Sequence, residues 1–97
     1  MAGPIYLFFK GKFTEAWYQL SKAEQDKLFA KLEEGFQQVG GKPVVMCNSA
    51  WATDSAQFWG VEEYPDIEAL QKYVQLEQDI SWFRYVDSEA LLGTKLE

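Results

Sequence analysis

Two apolar runs, Pro43 to Trp51 and Gln57 to Tyr64, are separated by the polar stretch Ala52-Thr53-Asp54-Ser55-Ala56 and lie between two segments of helical period. Runs rich in β-branched and aromatic residues, broken by a short polar connector, read as a strand, a turn and a returning strand. A loop symmetric about Asp54 would pair Trp51 with Gln57, Ser49 with Trp59, and Asn48 with Gly60. Side chains alternate along a strand. One face of this hairpin then carries Cys47, Ser49, Trp51, Gln57, Trp59, Val61 and Glu63, and the other carries Val44, Met46, Asn48, Ala50, Phe58, Glu62 and Tyr64.

The flanks are equally patterned. Pro4 to Lys10 is apolar and aromatic and meets Gly11, which reads as a first, buried strand. In the connector that follows, Glu15-Ala16-Trp17-Tyr18 can form a helical turn, with Trp17 over the edge of the core. Ser21-Lys22-Ala23-Glu24 matches the capping box, in which hydroxyl and carboxylate each accept from the other residue's backbone amide. Leu28, Phe29, Leu32 and Phe36 then recur at three- and four-residue spacing, so a helix is expected over 23–38, stopped by Gly40-Gly41. Tyr64-Pro65-Asp66 should launch the second long helix, with Asp66 as N-cap or first-turn anion and Ile67, Leu70, Tyr73 and Val74 on its buried side. Ile80 to Phe83 reads as an extra turn, Tyr85 to Leu92 as a fourth strand, and Gly93 as its end.

Composition narrows the partners. A chain of 97 residues is one domain by size, taken as residues 1–95, with Leu96-Glu97 resembling a cloning scar. Four Trp, five Tyr and seven Phe exceed what so small a core requires, which favours a further apolar interface or a ligand pocket. A net charge of −6 with no basic stripe argues against nucleic acid or an anionic membrane as partner. The apolar runs are too short to span a bilayer and no signal peptide is recognised, so a cytoplasmic location is expected. Cys47 is the lone cysteine and histidine is absent, so no metal or other cofactor is expected: an ion would need carboxylates alone, and a haem would lack its commonest axial ligand.

The order of elements, the Tyr64-Pro65-Asp66 helix start and the closing Leu91-Leu92-Gly93-Thr94 resemble the dimeric α+β barrel superfamily of ferredoxin-like domains, over nearly the whole chain. The resemblance implies an α+β fold, β-α-β-β-α-β, with a four-stranded antiparallel sheet, two helices on one face, and a homodimer covering the other. It also implies small-ligand sites between sheet and helices, used in relatives by cofactor-free monooxygenases, cyclases, dehydratases and haem enzymes. The cyclase, dehydratase and haem branches rely on histidine, which this chain lacks.

Several side chains are candidates for chemistry. Glu62-Glu63 sits on a strand, so the two point to opposite faces; one that meets an enclosed apolar surface gains a raised pKa and can act as general acid or base. Both can instead be solvated or paired with Lys10, Lys42 or Arg84. Asn48 interrupts an apolar strand and needs a partner, whether a ligand carbonyl or a water. Trp51, Trp59 and Trp82, with Trp17, offer faces to a flat ligand or fill core and interface. Tyr6 and Tyr64 can orient a ligand oxygen or reach solvent at the rim. Arg84, the only arginine, can clamp a carboxylate or pair with Asp87 or Glu89. Cys47 reads as a small core hydrophobe.

These readings converge on a small-molecule enzyme or ligand-binding protein acting without metal on a hydrophobic or aromatic compound. If catalytic, its chemistry is cofactor-free oxygenation or proton transfer of the isomerase or lyase kind, with Glu62 or Glu63 moving the proton and Asn48 and a tyrosine polarising a carbonyl. The alternative is a non-catalytic homodimeric binding or accessory module whose aromatic surplus is core and interface.

Overall fold

The computed structural model describes residues 3–96, so Glu97 of the expected scar lies outside the described residues. Four strands, β1 (Ile5–Phe13), β2 (Lys42–Asn48), β3 (Phe58–Tyr64) and β4 (Val86–Gly93), form one antiparallel sheet in the order β2-β3-β1-β4. A one-turn helix α1 (Glu15–Tyr18) and the longer α2 (Lys22–Gln38) link β1 to β2; α3 (Ile67–Asp79) and a 3₁₀ turn at Trp82–Arg84 link β3 to β4. This is the expected ferredoxin-like arrangement.

The helices begin where local chemistry starts them. Ser21 Oγ accepts from the Glu24 amide at 3.1 Å and Glu24 Oε1 accepts from the Ser21 amide at 3.0 Å, which completes the capping box. Asp66 Oδ1 accepts from the Ala69 amide at 2.8 Å and caps α3. Residue α3 C-cap Ile80 is followed by Ser81, whose φ of 58° turns the chain left-handed, so the helix does not run on through the expected extra turn and a separate 3₁₀ turn follows.

Four expectations are corrected. β1 continues through Gly11 to Phe13, because this glycine is a close-approach site rather than a terminator: a Cβ there would come within 2.8 Å of the Phe58 ring. The hairpin register differs by two residues, with Cys47 opposite Trp59 and Asn48 opposite Phe58, and a bulge lies between Pro43 and Val45. Trp51 consequently sits in the loop, 85% exposed, with its indole N–H donating to the Asn48 carbonyl at 3.0 Å. Ile67 is also 40% exposed, since the buried side of α3 is set by Ala69, Leu70 and Tyr73.

A shift of two residues preserves side-chain parity, so the expected faces stand for Met46 to Asn48 and Phe58 to Tyr64; the bulge reverses them before Val45, and Ser49, Ala50, Trp51 and Gln57 lie outside the strands. Leu7, Phe9, Phe58, Glu62, Tyr64, Val86, Ser88 and Ala90 look toward the helices, where Leu32, Tyr64, Ala69, Leu70 and Tyr73 form the core cluster. A second aromatic cluster gathers around Trp17, whose ring stacks on Phe13 at 4.7 Å and meets Trp82 edge-on at 5.7 Å. By strand alternation, Tyr6, Phe8, Trp59, Val61 and Leu91 occupy the opposite face, which no helix covers among the described residues; Leu91 is 70% exposed.

Candidate functional site

Between the sheet and α3 lies a cavity of about 250 Å³. β1 and β4 supply its floor with Leu7, Phe9, Val86, Ser88 and Ala90, β3 adds Phe58, Glu62 and Tyr64, α3 adds Leu70, Tyr73, Val74 and Glu77, and the 3₁₀ turn adds Trp82 and Phe83. The wall holds two carboxyl groups, two phenols and the Ser88 hydroxyl in a lining otherwise mostly apolar, without lysine or arginine.

The placement follows from the two periodicities. Glu62 and Tyr64 are two residues apart on β3 and share its helix-facing side, and the Tyr64 hydroxyl donates to Glu62 Oε1 at 2.7 Å. Tyr73 and Glu77 are four apart on α3 and lie one turn above another on the stripe begun by Leu70. Tyr64 is fully buried, with the Phe36 ring edge-on at 5.6 Å and Tyr73 tilted at 6.0 Å.

Burial governs the electrostatics. Loss of solvent raises the Glu62 pKa above the ordinary carboxylate value, against the opposing pull of the Tyr64 hydrogen bond, which favours the anion. Glu77 is pushed up to about 7, first by burial and then by the neighbouring Glu62 charge. Both phenols are raised as well, Tyr64 by burial and then Glu62, Tyr73 by burial and then Glu77, so they remain neutral donors. The site therefore contains a carboxyl group hydrogen-bonded by a phenol beside a second carboxyl group poised to gain or lose a proton near neutrality, which is the disposition general acid–base catalysis requires.

Of the residues singled out in the sequence, Glu62, Tyr64 and Trp82 meet at this cavity. The others lie apart. Glu63 is on the uncovered face, opposite Tyr6 on one side and Lys42 on the other. Tyr6 borders a shallow groove there with Phe8, Val61 and Leu91, and Trp59 packs on Phe8 at 6.1 Å. Asn48 ends β2, where its Oδ1 accepts from the Ala50 amide at 3.1 Å, next to the exposed Trp51. Arg84 is exposed on the 3₁₀ turn; its carbonyl accepts from Thr14 Oγ1 at 2.8 Å. Cys47 is partly buried opposite Trp59.

Glu77 is the residue that sequence reasoning passed over. Its signal was present, because it falls seven residues after Leu70 and three after Val74, on the apolar stripe of α3. An acid on such a stripe is a candidate for burial.

No family model matches the chain, and no curated protein matches it. Solved structures do. The RPA0582 protein of unknown function from Rhodopseudomonas palustris superposes with a TM-score of 0.72 at 17% identity, covering 100% of this chain and 85% of that one. SnoaB, a cofactor-independent oxygenase from Streptomyces nogalater, gives 0.60 at 15% identity over 99% of this chain and 96% of that one. These likenesses show a shared α+β ferredoxin-like fold. A mutant chlorite dismutase from Candidatus Nitrospira defluvii gives 0.77 at 13% identity over 100% of this chain, but this chain spans only 42% of that larger protein.

Another neighbour, from Thermus thermophilus, is described as haem-binding. The cavity here does not suit a haem. At about 250 Å³ it falls below the ~300–1,000 Å³ of drug-sized sites, and its wall opposes carboxylates, rather than cations, to a group that itself carries carboxylates. Among the described residues no group of three or more metal-binding side chains is arranged around a common point, and no helix is long and apolar enough to cross a membrane.

Proposed function

We propose that this protein is a metal-free small-molecule enzyme or ligand-binding protein whose site is the cavity between sheet and helices, equipped for proton transfer to a small, largely apolar compound. The observation that carries the reading is the meeting of Glu62, hydrogen-bonded by Tyr64, with Glu77 in one apolar cavity. Glu62 is the base, its charge steadied by the phenol; Glu77, poised to protonate near neutrality, is the acid; Tyr73 orients a ligand oxygen. An accessory module with a filled core would have no use for two carboxyls turned inward, where each costs desolvation free energy.

The uncovered sheet face is the second part of the proposal. Tyr6, Phe8, Trp59, Val61 and Leu91 make an apolar patch suited to an isologous contact with another copy of the chain. The cavity lies on the helix-covered side of the sheet, so a contact through this patch does not occupy it.

The test is ligand-detected and protein-detected NMR with phenol as a single-ring probe. Phenol should shift the amides of Leu7, Phe58 and Val86, and Ala90→Phe, which fills the floor of the cavity, should abolish those shifts. Shifts confined to the uncovered face, or surviving in Ala90→Phe, would exclude the cavity as the site.

A further inference from the structure

Buried charge in a soluble protein is ordinarily paired. Here the carboxyls are half-buried and face no cation: the cavity wall contains no lysine or arginine, and Glu77, which keeps some contact with solvent, has no hydrogen-bond or ion-pair partner among the described residues. The one partner of Glu62 is the neutral Tyr64 hydroxyl. An anionic ligand would add a third negative group to a low-dielectric space, whereas a cation would supply the charge the wall lacks.

The remaining surface suits a cation too. Tyr73 and Trp82 line the same cavity as the carboxyls, and an ammonium group is attracted to aromatic faces. Phe58 and Phe83 offer stacking partners to a ring. Size sets the scale, since a cavity of about 150 Å³ holds benzene. One of about 250 Å³ holds a single ring with a short arm.

We propose that the ligand is a small aromatic amine, one ring carrying a short aminoalkyl arm, whose ammonium group is held by Glu62 and Glu77 against the faces of Tyr73 and Trp82. This rests on the cavity being the ligand site and names the chemistry that site selects. Its ionisation has a direction. The titratable groups facing the ligand are Glu62 and Tyr64 from β3 and Tyr73 and Glu77 from α3, with Glu33 of α2 bordering the neighbouring hollow; both strands of the floor contribute only uncharged groups. Both phenols stay neutral, and Glu77 loses its proton near pH 7, while an alkylammonium keeps its own to about pH 10. Amine affinity must therefore rise between pH 6 and 8, with a proton released on binding.

The experiment compares 2-phenylethylamine, 2-phenylethanol and phenylacetate by NMR titration at pH 6 and 8, in the wild type and in E62Q and E77Q. At pH 8 the amine should bind about tenfold or more tighter than the alcohol, with phenylacetate weakest. That preference should shrink at pH 6 and in each variant. If the alcohol or phenylacetate binds the wild type as tightly as the amine, the charge assignment is overturned while the cavity reading stands. An amine preference indifferent to pH and to both substitutions overturns it equally. If none of the three compounds perturbs cavity residues, the underlying ligand site fails with it. The wild-type comparison decides the matter even if a variant does not fold.

Discussion

Replacing Glu77 by Gln keeps the shape of the side chain and removes its charge, so it isolates what the cavity exacts from a buried carboxylate. In the folded chain this group titrates at about 7 instead of the ordinary 4.5. Raised affinity for a proton in the folded state means that the stabilising contribution is complete below pH 4.5 and is lost as pH rises through about 7. At about 1.4 kcal/mol per tenfold change in proton affinity, the loss has an upper bound of about 3 kcal/mol. Partial exposure to solvent reduces this to about 2 kcal/mol. Gln is uncharged at every pH and pays none of it. Urea unfolding at pH 5 and pH 8 should therefore find E77Q close to the wild type at pH 5 and about 2 kcal/mol more stable at pH 8, a midpoint difference on the order of 1 M urea. Glu34→Gln, an exposed change on α2, should stay within about 0.5 kcal/mol of the wild type at both values. Stability curves for E77Q and wild type that run parallel from pH 5 to pH 8 would mean that the Glu77 carboxyl is not desolvated in the folded chain.

Other changes probe the frame around the site. Gly60→Ala places a Cβ 2.7 Å from the Val45 carbonyl and 2.6 Å from Met46 Sδ; the backbone atom cannot rotate away, so chemical denaturation should record a loss of about 1–3 kcal/mol. Leu70→Ala, at a position 4% exposed beneath the cavity, should cost about 2–4 kcal/mol by the same measurement. Leu91→Lys puts a charge on the uncovered face, where the side chain is 70% exposed; native mass spectrometry should find the wild type dimeric and the variant monomeric, with unchanged circular dichroism. A monomeric wild type would remove the interface proposal.

The sequence carried most of the frame because the frame rests on local signals. The caps at Ser21 and Asp66 are hydrogen bonds between residues three apart, and they form as their spacing suggests. Strand parity survived a two-residue register difference over Val45 to Asn48, where faces depend only on odd and even position, and was lost only across the bulge before Val45. What was not legible depends on contacts distant in the chain. Gly11 reads as a stop until the Phe58 ring lies across it. Trp51 reads as a strand residue until the hairpin register leaves it in the loop. The site divides in the same way: Glu62 was legible from strand alternation, and Tyr64 and Trp82 as aromatic neighbours. Glu77 was not, because an acid on a helix is ordinarily solvated and only the approach of α3 to β3 turns this one inward.

The central claim is that Glu62 and Glu77 share one desolvated cavity, and a titration of glutamate side-chain carbons by carbon-13 NMR tests it most directly. The Glu77 midpoint should lie near 7 and the Glu62 midpoint above 4.5, with both displaced downward when 2-phenylethylamine is added. Midpoints for both residues at the ordinary value near 4.5, unmoved by the amine, would contradict it.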